Sequence, residues 1–180
     1  MLQLSDPLPL LIDRLDTPIG EMLIVMDHEG YLRAVDWVDH EARMQRLLTK
    51  QCGQGTFRLD RAQSPNGLTD AISRYFQGDL TAIDILPVKT GGTPFQRDVW
   101  RALRSIPCGM TISYGELAKQ VGRPAANRAV GSANGSNPVG VVVPCHRVIG
   151  SDGSLTGYGG GTERKLWLLN HEARGATMPS

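Results

Sequence analysis

Two helix-start signals, Thr93-Pro94-Phe95-Gln96 and Ser113-Tyr114-Gly115-Glu116, constrain the second half of the chain more tightly than any other feature. Each has the form of a capping box, in which the hydroxyl accepts from the backbone amide three residues on and the Gln or Glu reaches back to the cap. Pro94 adds to the first signal, because a proline at the first helical position gives up an amide that has no partner there anyway. Phe95, Val99, Ala102, Leu103 and Ile106 then recur at helical spacing, and Pro107-Cys108-Gly109 ends the run. Behind the second box, Leu117, Ala118 and Val121 form a short apolar face that stops at Gly122, and Pro124 starts another helix running to about Ala133. Two short helices joined through a glycine turn make either a helix-turn-helix or an ordinary αα-hairpin.

The second of these helices is built from small residues: Ala125, Ala126, Ala129, Gly131, Ser132 and Ala133, with Asn127, Arg128 and Asn134 as its sizeable polar groups. Such a surface approaches a backbone or a minor groove closely but presents few long side chains to base edges, so it does not read a sequence. Arg128 protrudes, either to a phosphate or into a surface ion pair. The charge distribution points the same way. Residues 1–93 carry 9 Lys and Arg against 13 Asp and Glu, whereas residues 94–180 carry 10 against 5, so a polyanion would favour the second half.

The first half reads as strands at Leu10 to Leu15, Glu21 to Met26 and Tyr31 to Val38, joined by turns at Thr17-Pro18-Ile19-Gly20 and Glu29-Gly30. This predicts a small antiparallel sheet. Helices follow at His40 to Lys50 and Leu68 to Phe76, with a loop-prone stretch from Cys52 to Gly67 between them and a short strand at Ile83 to Leu86. Pro87, Gly91, Gly92 and Pro94 mark a linker, dividing an α+β chain into domains at 1–90 and 91–180.

The chemistry concentrates at Pro144-Cys145-His146-Arg147-Val148, delivered by the strand-like run Val139 to Val143. A thiol between a proline and two basic residues is not a typical core cysteine, because nearby cations favour the nucleophilic thiolate. Cys52 and Cys108 lack this setting and read as structural. Neighbours in extended backbone point to opposite faces, so His146 reaches Cys145 through a water rather than directly. A closing helix from about Thr162 to Ala173 carries Glu172 near its C-terminus, where a carboxylate opposes the helix dipole and gains from a partner. His146 is one such partner, giving a relay of Glu172, His146, water and Cys145; Arg174 and His171 are others. Nine glycines lie between Gly131 and Gly161, and Asn137 before Pro138 is suited to bridging loops.

Taken with Ser113-Tyr114-Gly115, Arg128-Ala129-Val130-Gly131, Asn137-Pro138, Gly157-Tyr158 and Leu168-Leu169-x-x-Glu172, the Cys145 motif resembles that of the O6-alkylguanine-DNA alkyltransferases of the bacterial constitutive type. The likeness spans residues 93–174, with a weaker one at Leu32 to Trp37. It implies an N-terminal ribonuclease-H-like domain and a C-terminal helix-turn-helix domain that binds double-stranded DNA through the minor groove, as a monomer, with little sequence preference. It further implies that Cys145 takes the alkyl group from guanine O6, and in a wider range from O4-alkylthymine, irreversibly and without a cofactor or metal. His146 would be the base, Glu172 its orienting group and Asn137 the hinge. Tyr114, Val148, Tyr158, Gly159 and Lys165 would line the guanine pocket. Arg128 would fill the stack after the base is flipped, with Ala125, Ala126, Ala129, Gly131, Ser132 and Asn134 on the DNA-facing helix. Many relatives carry a small polar residue where Gly159 stands, so here only its backbone amide could donate to O6. Cys52 is the sole cysteine before residue 93, which excludes the four-cysteine zinc site of the regulatory relatives.

Two other readings compete: a non-catalytic DNA binder, whose relatives typically replace the cysteine by tryptophan, and a cysteine hydrolase with a Cys-His-carboxylate triad. The longest unbroken apolar run, Met22 to Met26, is too short to span a bilayer, and the first basic residue is Arg14, so a cytoplasmic protein without membrane contact is expected.

Overall fold

The computed structural model describes residues 6–52 and 57–177. Its first part is a sheet with strand order β3-β2-β1-β4, formed by β1 (Leu8–Thr17), β2 (Gly20–Met26), β3 (Leu32–Trp37) and β4 (Phe57–Arg61), with helices α1 (Glu41–Gln51) and α2 (Leu68–Phe76). The three antiparallel strands lie as the sequence predicts. Asp27 shapes the β2–β3 turn by accepting from the amides of Glu29 and Tyr31, both at 3.0 Å, while Gly30 takes φ +92°. The stretch read as loop from Cys52 to Gly67 contains β4, which pairs parallel to β1 and makes the sheet mixed rather than antiparallel. Ile83 to Leu86 lies in turns, not a strand.

β2 explains the architecture. Met22, Ile24 and Met26 point to the side covered by α2 and the second half of the chain, while Leu23 and Val25 point to α1 through Met44 and Leu48. With both faces covered, its residues from Met22 on are buried, and the alternation expected of a half-exposed strand is absent.

The second part comprises α3 (Pro94–Arg104), β5 (Ile112–Ser113), α4 (Tyr114–Gln120), α5 (Asn127–Gly135), β6 (Val148–Ile149) and α6 (Thr162–Thr177). Both capping boxes form with both reciprocal bonds, each contributing on the order of 1 kcal/mol. Helix α5 starts later than predicted: Pro124 and Ala125 form a turn, Ala126 is the cap, and the helix opens at Asn127. The Trp100 indole N–H donates to Ala133 O at 2.8 Å and ties α3 to α5. Val139 to Val143 is not a strand but a buried turn with Val141 at φ +68°, and Cys145–Arg147 form a single 3-10 turn.

The two parts share one apolar core, running from Met22, Trp37 and Tyr75 to Val99, Leu103, Val130 and Leu168. The outer edge of β3 is also used. Leu32 exchanges backbone bonds with Pro87 and Lys89, and Val35 with Pro138 and Gly140. No helix among the described residues is long and apolar enough to cross a membrane.

Candidate active site

Cys145 owes its position to Asn137. The Asn137 side chain accepts from the Val139 amide at 2.9 Å and donates to Val143 O at 2.7 Å, closing the turn that precedes the cysteine. The left-handed Val141 is a β-branched residue in a sparsely populated region, at a cost of order 1–3 kcal/mol. Bonds from Val142 N to Gly140 O and from Val143 N to Val139 O hold it there. The strain thus sits four residues before Cys145, inside the Asn137 staple.

Cys145, His146 and Arg147 are all buried, with Cys145 7% exposed. At about three residues per turn, successive side chains of the 3-10 turn diverge by about 120°. The expected extended backbone is therefore absent, yet its consequence survives: His146 turns away from Cys145 and donates from Nε2 to Glu172 Oε1 at 2.8 Å. The other ring nitrogen, Nδ1, is buried without a partner among the described residues.

Glu172 gathers more than the sequence suggested. Its Oε1 also accepts from the Tyr75 hydroxyl at 2.8 Å and Arg147 Nη2 at 2.9 Å, and its Oε2 from Arg147 Nε at 2.9 Å. Burial alone would raise this carboxyl, but His146 and the bonds from His146 and Arg147 outweigh it and hold Glu172 well below the usual carboxylate range. His171, another candidate partner, bonds Tyr75 O instead. Helix α6 extends beyond Ala173 to Thr177, so Glu172 lies further inside the helix than predicted.

The thiol differs from the electrostatic expectation. Burial pushes Cys145 up, and the Asn137 hydrogen bond, Lys165 and Arg43 only partly offset it. Arg147, its neighbour in sequence, spends its charge on Glu172. Cys145 is therefore a thiol at neutral pH and needs a base. Cys108 and Cys52 are half-buried; burial, then Glu172, pushes Cys108 up to about 11, and burial raises Cys52.

The remaining expected pocket residues surround this centre. Lys165, fully buried, donates to Val148 O at 2.5 Å and Thr156 O at 3.0 Å, joining α6 to both walls. Tyr114, at the start of α4, donates to Thr156 O at 2.9 Å. A Cβ placed on Gly157 would lie 2.9 Å from the Tyr114 oxygen, so that glycine admits the phenol. Tyr158 is half-buried with its hydroxyl pushed up by burial and by Cys145. Gly159 lies beneath Arg43, a residue of α1.

On the outside, Arg128, Ala129, Ser132 and the preceding Ala125 are exposed, Ala126 and Gly131 half-exposed, and Gly131 faces the Tyr114 ring. Asn134, expected on the DNA-facing side, is buried at 2% exposure and donates to Cys145 O at 3.5 Å. Asn134 follows the buried Val130 by four residues, which puts both on the core-facing side of α5. Sequence reasoning missed Tyr75, Arg147 as a Glu172 ligand, and Arg43. Arg147 stood inside the motif, whereas nothing local singles out Tyr75 or Arg43.

Comparison with known proteins points to one family. Residues 94–174 match the profile of the 6-O-methylguanine DNA methyltransferase, DNA binding domain, and residues 11–90 that of the 6-O-methylguanine DNA methyltransferase, ribonuclease-like domain. A methylated-DNA--protein-cysteine methyltransferase of Shigella flexneri is 52% identical over 165 residues, covering 92% of this chain and 96% of its own. One from Mycolicibacterium paratuberculosis is 57% identical over 159 residues, covering 88% and 90%. Among solved structures, Mycobacterium tuberculosis OGT in complex with DNA superposes with a TM-score of 0.75 at 40% identity, covering 93% of this chain and 94% of that one.

Proposed function

Because this chain belongs to the 6-O-methylguanine DNA methyltransferase family, whose members repair DNA by alkyl transfer to a cysteine, we propose that it moves the alkyl group of O6-alkylguanine in duplex DNA, and of O4-alkylthymine, irreversibly onto Cys145. The observation that carries this reading is the buried Glu172–His146 bond, which leaves Nδ1 of the residue following Cys145 without a protein partner among the described residues. His146 takes the Cys145 proton through one water. The sulfur then attacks the alkyl carbon, an S–C bond forms, and the C–O6 bond breaks with its electrons going to the purine oxygen. The purine finally receives the proton that the thiol gave up. Tyr114, Tyr158, the Val148 carbonyl, the Gly159 amide and Lys165 form the walls around the base, and Asn137 couples the recognition helix to the cysteine turn. No cofactor or metal enters this chemistry.

In-line attack on the alkyl carbon requires the nucleotide to leave the stack. The small exposed surface of α5 and its approach turn fits against the minor groove, and Arg128 enters the gap. Binding is by a monomer, in the cytoplasm, with affinity set by phosphate contacts rather than sequence.

The product is a thioether with no acyl carbon for water to attack, so the protein is consumed. Titrating limiting protein against excess radiolabelled methylated duplex should reach a plateau at one methyl per chain, with the label on the peptide containing Cys145. Continued release of methanol or repaired DNA past that point would mark a hydrolase and end this reading.

Arg128→Ala should slow repair of duplex by a factor of ten or more on the order of the few kcal/mol that unstacking costs, while dealkylation of free O6-benzylguanine stays near wild type. The free base has no stack to leave. Equal losses on the two substrates would place Arg128 in the pocket or in folding instead.

A further inference from the structure

Besides Tyr75 on Glu172, the N-terminal part reaches the reaction centre through Arg43. Arg43 forks onto Asp36, with Nε donating to Oδ2 at 3.0 Å and Nη2 to Oδ1 at 2.6 Å. Asp36 is buried at 3% exposure, and its Oδ1 also accepts from the Trp37 amide at 2.8 Å. A two-point fork of this kind fixes the guanidinium plane and leaves the third nitrogen, Nη1, aimed away from the carboxylate. That nitrogen points at Gly159. A Cβ built on Gly159 would collide with Nη1 and lie 2.6 Å from Cζ and 3.1 Å from Nη2, and these three Arg43 atoms are its nearest neighbours. Gly160 is equally thin: a Cβ there would lie 2.7 Å from the Trp37 indole nitrogen. A side chain at 159 and the observed Arg43 therefore exclude one another. The Arg43 charge also acts on both Cys145 and Tyr158, lowering each, which puts it within electrostatic reach of the sulfur.

We propose that Arg43 is a specificity-determining residue of the lesion pocket, its Nη1 standing where a side chain at 159 would otherwise project and donating to the oxygen from which the alkyl group departs. The proposal rests on the alkyl-transfer reading above and adds to it a donor supplied by the N-terminal part. As the S–C bond forms and the C–O bond breaks, the electron pair passes to that oxygen. A cationic donor already fixed by Asp36 stabilises the growing charge without reorganising, until the purine takes the proton released by the thiol. Gly159 is the permissive half of the arrangement, since its missing side chain lets the guanidinium in.

The test is a mutational cycle read by single-turnover transfer from an O6-methylguanine oligonucleotide and from free O6-benzylguanine, with duplex affinity and melting temperature measured alongside. Arg43→Ala alone strands the buried Asp36 carboxylate, so it is combined with Asp36→Asn. The double variant should be slower on both substrates by roughly ten- to hundred-fold, the worth of one hydrogen bond to a charged group, with duplex affinity retained. Arg43→Lys should recover part of the rate. Gly159→Ser alone should be impaired, because its side chain displaces the guanidinium, whereas Gly159→Ser added to the double variant should restore rate, its hydroxyl donating where Nη1 had been. Wild-type rates in the double variant, or a Gly159→Ser loss that simply multiplies with the Arg43 loss, would overturn the proposal while leaving alkyl transfer intact. A wild-type protein that never gains the alkyl group on Cys145 would overturn the functional reading and this one together.

Discussion

Cys145→Ser is expected to abolish alkyl transfer while leaving affinity for undamaged duplex nearly unchanged. The substitution preserves shape, and the site is prepared to hold a polar group there: Asn137 braces the preceding turn through Val139 and Val143, and Cys145 itself is 7% exposed. The reactivity does not carry over. Even the thiol, pushed up by burial, must be deprotonated by His146 before it attacks, and an alcohol is a far weaker acid and a weaker nucleophile toward saturated carbon. The groups that would meet DNA, Arg128, Ala129 and Ser132, are exposed on α5, separated from the sulfur by the buried Val130, Ala133 and Asn134. A gel-shift titration and a transfer assay on the same preparation check this. Parallel losses of binding and transfer would show that the cysteine turn and the recognition helix are one unit rather than two.

Glu172→Gln should cost about 3–5 kcal/mol of stability, the usual cost of breaking a buried ion pair. Glu172 is fully buried and accepts from Tyr75, His146 and twice from Arg147, so the amide presents an N–H to groups that are themselves donors. Whichever way the amide turns, the NH2 meets at least one Arg147 donor, so Arg147, 3% exposed, loses its two-point pairing and the opposing charge. The pH dependence follows from the direction of the Glu172 shift. Its folded pKa is depressed, so the stability it contributes is complete above its unfolded value of about 4.3 and is lost as pH falls through the folded value. Urea melts of wild type and variant should therefore differ by a constant amount from about pH 5 to 8 and converge on further acidification. A gap that widened toward acid would assign the stabilisation to another group.

The parts of this molecule legible in its sequence are those whose signals are local. Thr93 with Gln96 and Ser113 with Glu116 specify their own hydrogen bonds, and both boxes formed where the spacing put them. Cys145, His146 and Glu172 stood out because each residue type was unusual for its place. β4 was missed because Phe57-Arg58-Leu59-Asp60-Arg61 offers only two apolar residues, and what makes it a strand is the distant β1 edge. Val139 to Val143 misled in the opposite sense. A buried apolar run bounded by Pro138 and Pro144 looks the same whether extended or turned, and the choice is made by Asn137 bonding across it. Arg43 was invisible for a further reason: on α1 it is one of several charges, and only packing α1 against the glycine run reveals what it faces.

The way β3 is edged has a consequence for how the chain is made on the ribosome. β3 pairs with β2 on one side, but on the other its backbone is met by Pro87 and Lys89 and by Pro138 and Gly140. The first three strands are complete once Trp37 has been synthesised, whereas Gly140 comes more than a hundred residues later. At about 5–20 residues per second the interval is several seconds or longer. Throughout it the hydrogen-bonding groups of Val35 face outward on an apolar strand, the condition in which one nascent chain can template another. The turn that presents Cys145 therefore also acts as the closure of the older sheet. A newly made molecule covers the Val35 edge with the same turn that sets Cys145 in place, before α6 brings Glu172 to complete the centre.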